Sequence, residues 1–146
     1  MFYRIFRRRI VLRRRVFRRR RKARKAPGRR DYLARKEAAR IFVEQRLRHF
    51  VLEYSKIDPE NTHEFKYNRL AIRNTRSRWG SCSSRKNLNF NYRILDLPPM
   101  LQDYVIVHEL CHLKELHHRK AFWDLMALMI PQARELHQKA RKMRLS

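Results

Sequence analysis

The chain has 146 residues, 43% of them hydrophobic, which suits one compact domain with a real core. Its formal net charge of +25 draws it toward polyanions, while its longest apolar run, Leu125 to Ile130, falls far short of the roughly 20 residues that cross a bilayer. Two cysteines, Cys82 and Cys111, make no disulfide framework and fit a reducing, cytoplasmic setting.

Residues 1–30 hold 14 Arg and 2 Lys and no acid, so residues 31–146 carry only +9. Blocks such as Arg7-Arg8-Arg9 and Arg18-Arg19-Arg20-Arg21 repel one another, and the apolar residues between them follow neither a helical nor a strand period. A flexible arm over 1–30 is expected, either binding nucleic acid or another polyanion or remaining a solvated tail, ahead of a folded domain over 31–146. The arm has no apolar centre of a signal peptide, and it is denser in Arg and poorer in Ser than a transit peptide.

Pro27-Gly28 breaks the chain before Asp31, which is expected to cap a helix running to about Tyr54. Within it Ala39, Val43, Leu47, Phe50 and Tyr54 recur at the spacing of a buried stripe. Asp58-Pro59-Glu60-Asn61 reads as a turn, and the stretch around Leu70, Ala71 and Ile72 as a strand. From Leu88 to Ile94 apolar and polar residues alternate as in a half-buried strand, and Trp79 to Cys82, with the turn residues 83–87, reads as its hairpin partner. Pro98-Pro99 opens the next helix, because proline suits the first helical position. The fold class expected is α+β: an N-terminal helix, a short antiparallel sheet with a hairpin, the motif helix and C-terminal helices.

That third segment carries His108-Glu109-Leu110-Cys111-His112. A helical turn of about 3.6 residues places His108 and His112 on one face, close enough to share a metal. Imidazole suits zinc, and an open coordination position brings a bound water's pKa toward neutrality. Glu109 beside that water is the natural general base, taking its proton and passing it to a leaving amine. The motif is expected by chance about 0.02 times in a chain of this composition, and the apolar run Tyr104 to Val107 gives it a buried helix to sit on. Catalytic zinc usually has three protein ligands. His118 is the best third candidate and His117 its rival, but Glu115 stands where the metzincin spacing has glycine. Either the helix ends near Leu116 and His118 swings in, or another residue such as Glu135 serves. Surface or capping roles are expected for His117, His49, His63 and His137.

Four further features occur in order around this motif: Arg78-Trp79-Gly80-Ser81-Cys82-Ser83, Asn89 to Leu95, Pro98-Pro99, and His118 followed by Phe122-Trp123. Over roughly Asp31 to Leu136 the chain resembles the YgjP-like metallopeptidase domain, related to the SprT and WLM groups. The resemblance implies a zincin-like fold, a zinc cofactor, a metalloendopeptidase-like hydrolase acting on peptides or proteins, and His118 as third ligand. Family members carry more β-structure ahead of the first helix, where this chain has its arginine-rich arm.

By analogy with zinc peptidases, an edge strand beside the motif helix binds extended peptide, and Leu88 to Leu95, with Asn89 and Asn91, is the candidate. Trp79, Phe122 and Trp123 are expected to brace the zinc helix as core aromatics. The competing functional reading is a nucleic-acid- or ribosome-binding protein with a structural or vestigial zinc site. Glu109 argues against it, since a structural site needs no base.

Overall fold

The computed structural model describes residues 28–143, so the arm expected over 1–30 lies almost entirely outside the described residues. Helix α1 spans Arg29–Ile57 and buries Ala39, Val43, Leu47, Phe50 and Tyr54, the stripe expected from the spacing. Asp31 does not cap it. Gly28 takes that position, with the Tyr32 N–H bonding its carbonyl at 2.9 Å, and Asp31 sits in the first turn, where a carboxylate favours the positive end of the helix dipole.

A 3-10 turn over Thr62–Phe65 leads to strand β1, Arg69–Arg73, followed by β2, Gly80–Cys82, and β3, Asn87–Asn91. The sheet has the order β1-β3-β2. The β2–β3 pair is the antiparallel hairpin expected, with Ser81 opposite Asn89. The sheet as a whole is mixed, however, because β1 runs parallel to β3, with Ala71 opposite Asn89. Leu70, Ala71 and Ile72 are all buried, as in a strand covered on both faces.

Strand β3 is therefore central, and the expectation of an edge strand over 88–95 is corrected. It also stops earlier than the alternation suggests, giving way to a 3-10 turn over Tyr92–Asp96. The cause is local. The Asn91 side-chain oxygen accepts from the Arg93 N–H at 3.0 Å, a turn geometry that competes with strand pairing.

Helix α2 covers Pro99–Cys111, with proline in its first turn as expected; α3 covers Lys120–Met129 and α4 Ala133–Lys142. Val107 and Leu110 on α2 and Phe122 and Met126 on α3 are all completely buried, so α2 runs through the middle of the core with α1, β2, α3 and α4 around it. This placement makes α2 a rigid platform for the side chains at its C-terminal end. None of the described helices is long and apolar enough to cross a membrane.

Candidate metal centre

His108 projects from the last turn of α2, and His112 sits just past its end with near-helical φ and ψ of −66° and −13°. The helix thus ends earlier than Leu116. The chain then turns through the Lys114 and Glu115 N–H groups, both bonded to the Cys111 carbonyl, and reaches His118 with no left-handed residue. The glycine that the metzincin turn uses is not needed here.

His118 Nε2 lies 3.0 Å from His108 Nε2, and His112 Nε2 lies 3.2 Å from the same atom. One donor nitrogen from each of the three falls within 4.8 Å of the others. Two nitrogens each about 2.05 Å from a tetrahedral zinc stand about 3.3 Å apart, so the two edges that meet at His108 Nε2 match that ion.

Protonation fits as well. His112 Nδ1 is 2.9 Å from the Glu115 carbonyl, which only accepts, so Nδ1 carries the proton and Nε2 keeps its lone pair. Burial, followed by the neighbouring histidines, pushes the His108 pKa down to about 3, and burial lowers that of His112, so both imidazoles are neutral at pH 7 and able to ligate a metal. Neither rival converges on this triangle. His117 is exposed, and Glu135 pairs with Lys139 on α4.

The rings rest on Phe122, which is fully buried with its centroid 4.7 Å from those of His112 and His118 and 5.0 Å from that of His108. Trp123 packs edge-on to Phe122 and to His137. These two aromatics brace the centre as expected. Trp79 packs against the core as Trp123 does, and it also lines the cleft, where its indole N–H donates to the Met143 carbonyl at 3.0 Å.

Glu109 is 7% exposed. Desolvation pushes its pKa up to about 8, opposed by the Arg78 guanidinium and by a hydrogen bond from the Cys82 backbone. Its carboxylate lies against Gly80 so closely that a Cβ there would stand 2.7 Å from Glu109 Cγ and 2.8 Å from Oε1. A cleft of about 520 Å³ opens over this pair, lined by His108, Glu109, Gly80, Tyr104 and His137 among others.

Three participants escaped the sequence reading. The Tyr104 hydroxyl lies 3.0 Å from His108 Nδ1 and 2.8 Å from His137 Nδ1, so His137 is a cleft residue and not a surface histidine. Tyr104 precedes His108 by four residues on one helix face, a spacing that could have revealed it. Gly80 is the third, placed by the pairing of β2 against β3.

Asn89 and Asn91 line a second cleft, which adjoins the first along residues 77–80. Asn91 is 1% exposed, and its amide donates to the Thr75 carbonyl at 2.7 Å and to Thr75 Oγ1 at 3.0 Å, so it pins the loop before β2 and is not available to a peptide. Asn89 is half-buried, with its amide 3.4 Å from Ser81 Oγ.

No curated protein matches this chain. Among solved structures it is similar to the crystal structure of the metallopeptidase zymogen of Pyrococcus abyssi abylysin. That match has a TM-score of 0.52 and 20% identity and covers 68% of this chain and 92% of the other. At that identity the likeness concerns the fold, which is that of a small α+β zincin-like domain. The model of the YgjP-like metallopeptidase domain matches residues 9–143, a span that begins upstream of the described residues and includes every side chain of the centre, and the chain belongs to this metallopeptidase family.

Proposed function

We propose that this metallopeptidase holds one zinc ion on His108, His112 and His118 and hydrolyses peptide bonds with Glu109 as general base. The observation that carries the reading is the convergence of three imidazole nitrogens beside one buried carboxylate at the floor of an open cleft. Zinc bound there would polarise a peptide carbonyl and bring a coordinated water's pKa near neutrality.

Residues of the chain supply the remainder. Glu109 accepts the proton of the attacking water on its carboxylate and delivers it to the leaving amine. Burial keeps that carboxylate basic, and Gly80 holds it in position. Tyr104 holds the His108 ring by its Nδ1, leaving Nε2 directed at the centre.

Strand β2 takes the role expected of 88–95. It pairs with β3 on one side, its other edge has no strand neighbour among the described residues, and Gly80 borders the cleft. An extended peptide added to that edge by main-chain hydrogen bonds passes over Glu109, as an endopeptidase requires. Residues 1–30 form, in this reading, a separate basic arm ahead of the peptidase domain over 31–146.

Metal analysis tests the ligand set. Purified protein is expected to hold about one zinc per chain, lost on His112→Ala and on His118→Ala and kept on His117→Ala. Wild-type zinc affinity in His118→Ala would remove His118 from the centre.

A further inference from the structure

The cleft over Glu109 is lined by three arginines, Arg76, Arg78 and Arg141, and by no carboxylate other than Glu109 itself. The adjoining cleft repeats the pattern, with Arg73 and Arg78 and no acid. All four side chains are exposed, and none of them forms a salt bridge with a described residue. Some cations elsewhere on the surface are neutralised in place, as in Arg46 with Asp103, Lys120 with Asp124 and Lys139 with Glu135. The cleft thus gathers three guanidinium groups around a single carboxylate, that of Glu109, among the described residues.

The backbone that carries two of these arginines is also held where a peptide would pass. Arg76 and Arg78 ride on the loop that enters β2, and that loop is fixed from beneath by buried Asn91. Thr75 Oγ1 closes the same loop by donating to the Arg78 carbonyl at 2.7 Å. Arg141 comes from the last turn of α4 and lines the same cleft as Arg76 and Arg78. A fixed loop lowers the ordering cost of binding, so its charges discriminate between ligands instead of merely attracting them.

We propose that this cleft selects acidic peptides, with Arg76, Arg78 and Arg141 as specificity-determining residues that pair with Asp or Glu side chains on either side of the scissile bond. The proposal rests on the peptidase reading of the same cleft. Basic peptides would meet a cationic rim and be rejected, which is the repulsive half of the specificity.

The test uses the full-length, zinc-loaded chain and matched fluorogenic peptides differing only in Glu, Gln or Lys at the positions flanking the cleaved bond. The Glu peptide is expected to have a kcat/KM about tenfold above the Gln peptide at low salt, the scale of a few exposed ion pairs, and the gap is expected to close in high salt. The double variant Arg78→Gln/Arg141→Gln is expected to remove the preference, read as the ratio of kcat/KM for the Glu and Gln peptides within the variant, because Arg78 also bears on Glu109. Arg48→Gln, which removes a charge from an exposed position on α1, is expected to keep it and so controls for attraction by total charge. Binding of the same labelled peptides to Glu109→Gln protein separates the two readings. Selective, arginine-dependent binding without any cleavage in the wild type would uphold the rim and reject the peptidase. Equal cleavage of all three peptides, or a preference that survives the double variant, would overturn the rim. So would an arginine-dependent affinity for a short oligonucleotide above that for the Glu peptide.

Discussion

Replacing Gly80 by alanine adds a single methyl group at the most crowded point of the centre. Gly80 has no positive φ, so the substitution brings no backbone strain and its effect is purely steric. The new Cβ would lie 2.7 Å from Glu109 Cγ, 2.8 Å from Oε1 and 3.0 Å from Cδ. Carbon atoms in contact sit about 3.5–4.0 Å apart, so the carboxylate or the strand must yield by roughly 1 Å. The residues on both sides are held: Glu109 by a buried helix and Gly80 by pairing with Phe90. Overpacking of this kind costs about 1–3 kcal/mol, and a misplacement near 1 Å in a catalytic group costs about 100-fold in rate. Gly80→Ala should therefore lower kcat strongly, lower the melting temperature by several degrees, and leave zinc content unchanged, since no ligand is touched. Gly28→Ala is the control, as its Cβ would meet nothing nearer than 3.6 Å. Calorimetry, metal analysis and peptide cleavage on the three proteins decide the matter. Wild-type kcat and melting temperature in Gly80→Ala would refute the close seating of Glu109 on β2.

Three further outcomes follow from the same geometry. Tyr104→Phe removes the hydroxyl between His108 and His137 and should weaken zinc binding about 10- to 100-fold in chelator competition; unchanged affinity would deny the tyrosine its positioning role. Asn91→Ala strands the Thr75 carbonyl and should cost about 1–3 kcal/mol in urea unfolding, and a loss below the error of that measurement would show that the loop is held by other means. In metal-free protein the Glu109 pKa, raised from 4.5 to about 8, makes stability fall as pH climbs through that interval, because the unfolded chain loses the proton first. Glu109→Gln should accordingly stabilise the metal-free protein at pH 8.5 far more than at pH 5, at about 1.4 kcal/mol per pKa unit, and an equal difference at both pH values would contradict the burial argument.

The helical parts of this fold were legible because a buried stripe needs only spacing. Ala39 to Tyr54 announced α1, Pro99 announced α2, and the motif histidines announced the face they share. Strand pairing was less accessible. Alternation from Leu88 onward reports which face is buried and says nothing of which strand lies alongside, so the parallel pairing of β1 with β3 stayed hidden, and with it the central position of β3. Correcting that error moves the proposed peptide-binding edge from 88–95 to β2 and turns Asn91 from an expected substrate contact into a buried clamp. His137 was misread for a related reason. It lies 29 residues from His108 in sequence, and only the packing of α4 against α2 brings it to Tyr104.

The centre's identity as a glutamate-assisted metallopeptidase turns on one comparison. Wild-type and Glu109→Gln proteins, each shown to hold one zinc, should be incubated with a denatured proteome and the new peptide termini counted by mass spectrometry. The wild type is expected to generate termini, and the variant, with its metal and fold intact, none above background. Equal cleavage by the two proteins would contradict the assignment of Glu109 as the base.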